Sequence, residues 1–231
     1  MQRALRWVLR TLAIALAAFL LLQAWYAVHI WWWRDHPPGE TAFMAMRLDE
    51  LKEAKPNARL QYAWVPYDRI SVHLKRAMIA AEDAKFVEHE GFDWDGIQRA
   101  MDKNERRGRV VAGGSTISQQ LAKNLFLSGK RSYWRKGEEA LITVMLESML
   151  TKRRILELYL NVIEWGNGIF GCEAAARHYF GTSAARLDVE QSARLAAMTP
   201  NPRRYERNPG SKALARRIPI ILTGMPAAEL P

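Results

Sequence analysis

Gly113-Gly-Ser-Thr-Ile-Ser-Gln-Gln-Leu-Ala-Lys-Asn124 is the stretch from which the fold is read. Its two glycines permit unusual dihedrals and close backbone approach. Ser115 or Thr116 then caps a helix. Ile117, Leu121 and Leu125 recur at helical spacing and form an apolar face. Thr116, Gln120, Lys123 and Asn124 fall at i, i+4, i+7 and i+8 and form a second, polar face. An ordinary surface helix is rich in Glu and Lys on that side. Amides, a hydroxyl and a lysine suit a polar, anionic ligand instead, and a helix N-terminus itself favours anions.

Upstream, Ile70, Leu74, Ala77, Met78 and Ala81 predict another helix, with Gly91 as a plausible stop. At the end of that pattern stand Glu82 and Asp83, followed by Phe86 and His89. Acidic residues at a helix end are most often a solvated turn. Two adjacent carboxylates with an aromatic and a histidine also supply a general base and its orienting groups. Between these two stretches, Arg99 to Arg109 is polar, lacks strong apolar periodicity, and reads as an exposed loop before Gly113.

Downstream, Arg135 and Glu139 stand four residues apart, either as a surface ion pair or as a cation beside a second carboxylate. Thr151 caps a helix whose Ile155, Leu156 and Tyr159 pack inward, while Lys152, Arg153 and Arg154 add positive charge. Gly166, Gly168 and Gly171 read as a glycine-rich turn, and Glu173 to Phe180 as a short helix stopped by Gly181. Asp188-Val-Glu-Gln191 opens a last helix that ends near Thr199-Pro200, before a tail rich in Pro and Arg. Gln61 to Pro66 is extended, and Pro66 confines it to an edge or a loop. Convincing alternating strands and internal repeats are lacking, so the fold class is mainly α.

The chain has 231 residues and a formal net charge of +10, which points to an anionic partner: nucleic acid, phosphate or a membrane surface. Its one cysteine, Cys172, cannot form an internal disulfide and reads as a core residue. Thr11 to Trp33 holds no Asp, Glu, Lys or Arg. As a helix it reaches about 34 Å, enough to cross a bilayer. Arg3, Arg6 and Arg10 precede it, and Trp25, Tyr26 and Trp31 to Trp33 cluster near its exit. This is an uncleaved anchor rather than a signal peptide, with a cytoplasmic N-terminus and the remainder outside. The organisation is thus a basic cytoplasmic tail (1–10), a transmembrane anchor (11–33), a linker and membrane-proximal segment (34–66), and one domain (67–231). With that domain turned outward, nucleic acid is not expected as a partner.

Four stretches in order carry a resemblance: 82–89, 113–124, Arg135-Lys-Gly-Glu-Glu139 and Arg154-Ile-Leu-Glu-Leu-Tyr-Leu-Asn161. Together they resemble the bacterial peptidoglycan glycosyltransferase family over roughly 68–209, and Asn161 to Gly168 and Ala175 to Gly181 look like its monofunctional branch. Neither Ser-x-x-Lys nor Lys-Thr-Gly occurs, so the acyl-transfer motifs of penicillin-binding proteins are missing from this sequence. The resemblance implies a lysozyme-like, bilobed domain that joins lipid II into β-1,4 GlcNAc-MurNAc strands with release of undecaprenyl pyrophosphate. It implies Glu82 as general base and Glu139 as the second catalytic carboxylate. Substrate binding is expected from Asp83, Phe86, His89, Ser115, Thr116, Gln119, Gln120, Lys123, Asn124, Arg135, Lys136 and Lys152.

No cofactor is required on this reading, and no dedicated metal-ligand cluster is visible. A divalent metal, Mg or Mn, shared loosely with the pyrophosphate stays open. Expected partners are lipid II, the growing glycan strand, the inner membrane, and other cell-wall synthesis and division proteins, with the catalytic domain in the periplasm. Two rivals remain: a peptidoglycan-cleaving muramidase of lysozyme-like fold, and a non-catalytic membrane-anchored scaffold. A muramidase must protonate a sugar leaving group and needs fewer cations.

Overall fold

The computed structural model describes residues 2–109, 113–127 and 132–231. Helix α1 (Gln2–Trp33) leads into α2 (Ala42–Ala54), which Thr41 caps by accepting from the Met44 N–H. Strand β1 (Gln61–Tyr62) and α3 (Val72–Glu82) follow, the helix capped by Ser71. Next come α4 (Trp94–Arg106), α5 (Ile117–Phe126), α6 (Tyr133–Met149) and α7 (Lys152–Val162). Strands β2 (Glu164–Gly166) and β3 (Ile169–Phe170) precede α8 (Cys172–Phe180) and α9 (Val189–Met198). Helices α10 (Pro202–Arg207) and α11 (Lys212–Gly224) complete the order.

Helix α5 is central because its apolar stripe has three neighbours. Ile117, Leu121, Ala122 and Leu125 are buried, and the helix packs on α2, α6 and α7. Burying each large aliphatic side chain contributes about 1.5–3 kcal/mol. Truncating Leu121, which is fully enclosed, would cost about 2–5 kcal/mol through the cavity left behind. A second packing unit joins α3 to α9 and α11. Helix α7 is buried almost all round from Leu158 onward, as a helix running through a core must be. Cys172 is enclosed in this core, and burial pushes its thiol well up from the ordinary range.

Helix α1 is long and apolar enough to cross a membrane, and most of it is exposed. Its C-terminal half meets the domain, beginning at Phe19 beside α6. Tyr26 and Trp33 pack on Phe126 at ring separations of 4.9 and 5.1 Å.

Four expectations are corrected. Residues 99–106 belong to α4 rather than to a loop: Asp93 caps the helix through Gly96 N–H, and its charged residues lie mostly outward while Ala100 is buried. Gly91 does not stop α3, which ends at Glu82; it sits in the following turn with φ of 89°. A Cβ there would lie 2.8 Å from Thr143 Cγ2, so both the dihedral and the packing against α6 demand glycine. The glycine-rich turn after α7 carries β2 and β3, which with β1 form a sheet in the order β1-β3-β2. β1 lies at its edge, parallel to β3, and strands this short leave almost no period-2 signal. Finally, α9 is not the last helix. Pro202 occupies the first turn of α10, where a missing N–H costs nothing, and Ser211 caps α11.

Candidate active site

Glu82 and Asp83 are adjacent at the end of α3, yet they face different surroundings. The buried Asp83 carboxylate accepts from Ile117 N–H at 3.0 Å, one of the free donors at the start of α5. Its other oxygen accepts from His89 Nε2 at 2.9 Å. His89 Nδ1 accepts from Gly91 N–H at 3.1 Å, so Nε2 is the nitrogen that carries the proton. Thr116 and Gln119 form a capping box, and the Thr116 hydroxyl donates to Gly91 O at 2.7 Å. Phe86 is fully enclosed beneath Lys152, whose Nζ lies 4.7 Å from the ring centre. Lys152 also pairs with Glu147 at 2.8 Å, and Ser118 donates to that carboxylate as well.

Glu82 turns the other way. Gln120 Nε2 donates to its Oε2 at 2.9 Å and Thr199 Oγ1 to its Oε1 at 2.6 Å. Arg217 Nη2 lies 3.6 Å from Oε1. The Tyr159 hydroxyl donates to Gln120 Oε1 at 3.0 Å, which turns the amide nitrogen toward Glu82. Burial, followed by the Glu82 and Asp83 charges, pushes the Tyr159 phenol well above its ordinary value, so it remains a donor.

Two cavities adjoin the residues that hold this carboxylate, Gln120 and Thr199, although Glu82 itself lines neither. The larger, about 760 Å³, is lined by Ser115, Gln119, Gln120, Lys123, Arg135, Lys136, Glu139 and neighbouring residues. The smaller, about 410 Å³, is lined by Asn124, Tyr159, Glu164, Thr199, Arg203 and others. Gln120, Lys123 and Pro200 line both. In the larger cavity the buried Glu139 is flanked by Arg135 Nη1 at 3.7 Å and by Lys136. Arg135 Nε is buried with no hydrogen-bond partner among the described residues, a donor left over at the wall of a cavity. Gly114 approaches the backbone of α4, where a Cβ would lie 2.9 Å from Ile97 Cα. The close approach read from the two glycines is therefore between the segment leading into α5 and helix α4.

The transglycosylase family model matches residues 49–226, a span that contains the whole lining of the larger cavity, all but Phe43 of the smaller, and every side chain just described. The chain belongs to the transglycosylase family. A biosynthetic peptidoglycan transglycosylase of Dechloromonas aromatica is 62% identical over 228 residues, covering 98% of each chain. That of Azoarcus sp. is 62% identical over 226 residues, covering 98% of this chain and 97% of its own. That of Laribacter hongkongensis is 57% identical over 227 residues, covering 98% of this chain and all of its own.

The protein is thus a peptidoglycan glycosyltransferase with the mainly α, lysozyme-like domain expected from its motifs, preceded by one apolar helix. Of the residues singled out in the sequence, this transglycosylase brings seven to the larger cavity: Ser115, Gln119, Gln120, Lys123, Arg135, Lys136 and Glu139. Asn124 lies in the smaller one and donates to Gln120 O at 2.7 Å. Glu82 lines neither cavity but is bonded to Gln120 and Thr199, which do. Asp83, Phe86, His89, Thr116 and Lys152 also line neither; they tie α3, α5, α6 and α7 together. Thr199 and Arg217 escaped the sequence reading, because they lie outside the four motifs and meet Glu82 only through α9 and α11. Thr-Pro straight after a predicted helix was the only local trace of either.

Proposed function

We propose that the two cavities are where lipid II meets the growing strand. Glu82 removes the proton from the acceptor sugar hydroxyl as that oxygen attacks the anomeric carbon of the donor. The bond to the lipid pyrophosphate breaks as the new bond forms, so an α-linked pyrophosphate gives a β-1,4 glycoside in one inverting displacement. The leaving group is a weak base and needs cations more than a proton donor. Lys123, Arg135 and Lys136 supply them along the larger cavity, with Glu139 holding two of the three in place. The observation that carries this reading is a cationic cavity wall joined to a partly enclosed carboxylate through Gln120, which lines both cavities and donates to Glu82.

A lipid-borne substrate is favoured by a further feature. Phe19 of α1 forms an apolar groove of about 600 Å³ with Tyr133, Trp134 and Leu141 of α6, and Tyr133 also lines the larger cavity. A polyprenyl chain leaving the pyrophosphate would find this groove next. The same helix α1 acts as a single-pass anchor in the inner membrane, its arginines cytoplasmic and the domain periplasmic. Cell-wall synthesis and division proteins are the expected partners there. The residues fit a dedicated divalent ion poorly: Glu139 is committed to Arg135 and Lys136, and among the described residues no three metal-ligating side chains converge. Any Mg or Mn would be held chiefly by pyrophosphate oxygens.

The deciding experiment incubates purified protein with labelled lipid II. Polymer of high molecular weight is expected. Cleavage of preformed glycan would instead favour a muramidase, and no turnover a scaffold.

A further inference from the structure

Glu82 is the last residue of α3, where unsatisfied carbonyls make the negative end of the helix dipole. An ionised carboxylate there depends on donors brought from elsewhere. Three are present: Gln120 from α5, Thr199 at the C-terminal cap of α9, and Arg217 from α11. They are not equivalent. An amide NH2 and a guanidinium can only donate, whereas a hydroxyl has one proton to give and lone pairs to accept with. Thr199 Oγ1 lies 2.6 Å from Glu82 Oε1 and 2.8 Å from the Ala196 carbonyl oxygen. Its single proton can serve only one of these two acceptors at a time.

We propose that Thr199 is a positioning residue that follows the protonation state of Glu82, an inference that rests on Glu82 being the base. With Glu82 ionised, the hydroxyl donates to Oε1. In the displacement the acceptor O–H bond breaks, its oxygen bonds the anomeric carbon, the pyrophosphate departs with the bonding pair, and the proton passes to Glu82. The neutral carboxyl then needs an acceptor for its O–H, and Thr199 is the one partner of the three able to provide it. Thr199 rotates its own proton to Ala196 O and accepts from Oε1. Glu82 therefore stays hydrogen-bonded in one orientation before and after proton uptake, and no proton leaves Thr199.

The test uses the full chain and labelled lipid II, with kcat, KM and melting temperature recorded for Thr199→Val, Thr199→Ala and Thr199→Ser beside Glu82→Gln. Val keeps the shape without the hydroxyl, and Ala is a second hydroxyl-free variant should Val pack badly. Both should lose about 10- to 100-fold in kcat, the rate equivalent of one hydrogen bond to a charged group, with KM unchanged. Ser should restore most of the loss. Wild-type kcat in either folded hydroxyl-free variant, or a Ser variant as slow as Val, overturns the inference. A normal rate for Glu82→Gln overturns the base assignment and this inference with it. Inactive Glu82→Gln beside fully active Thr199→Val removes Thr199 alone.

Discussion

The turn after α3 and the cleft wall of α5 and α6 both gather carboxylates, cations and hydroxyls, but with opposite outcomes. In the turn, each polar group is closed on another: Asp83 on His89 and Ile117 N–H, Thr116 on Gly91 O, Lys152 on Glu147 and Phe86. Along the cleft, Arg135 keeps a buried donor with no partner among the described residues, Lys136 is half exposed, and Glu82 retains partial access. A polar cluster whose donors and acceptors all match is a joint between helices. One that leaves a donor unmatched beside a cavity is prepared for a ligand. Glu82 and Asp83 show that a single residue step along the chain is enough to turn a carboxylate from the joint toward the cleft residues Gln120 and Thr199.

The sharpest way to break this contrast is at those two neighbours. Glu82→Gln should lower lipid II polymerisation by about 10²- to 10⁴-fold, the scale of a lost general base, with little change in melting temperature. Near-normal polymerisation would end the assignment. Asp83→Ala should instead appear as instability. It strands the His89 and Ile117 N–H donors in a buried site, at about 1–3 kcal/mol each, read as a shift in urea midpoint. If Asp83→Ala unfolded like wild type yet lost activity, the turn would be part of the chemistry after all.

Two lysines and an arginine sharpen the comparison at smaller scale. Lys123→Ala should weaken binding of a phosphoglycolipid inhibitor by about 10- to 100-fold, the cost of one charge-assisted contact. An unchanged dissociation constant in a binding titration would place Lys123 outside the pyrophosphate site. Arg135→Lys should lose turnover more than its retained charge suggests, because an ammonium cannot reproduce the guanidinium fork. Lys152→Ala should leave inhibitor affinity alone and destabilise the fold by about 1 kcal/mol through the lost Glu147 pair and ring contact. Calorimetry and the same titration check both halves of that statement.

Sequence periodicity alone determined most of the helices, because apolar residues at 3.6-residue spacing must face a common core. Ser and Thr before those runs marked the caps at Thr41, Ser71, Thr116, Thr151 and Ser211 that the fold uses, although only Thr116 and Thr151 were read as such. The motif residues carried the family resemblance, and that resemblance identified the chemistry. Tertiary structure decided which of them reach the cleft. Asp83, His89 and Lys152 look as reactive in the sequence as Glu82 and Lys123, and only the folded chain shows the partners, 5 to 34 residues away, on which they close. The small sheet was hidden because two- and three-residue strands carry no measurable alternation. Thr199, 117 residues from Glu82, was hidden for a related reason. A hydrogen bond between distant segments is set by how helices pack, and packing leaves no local periodicity in the chain.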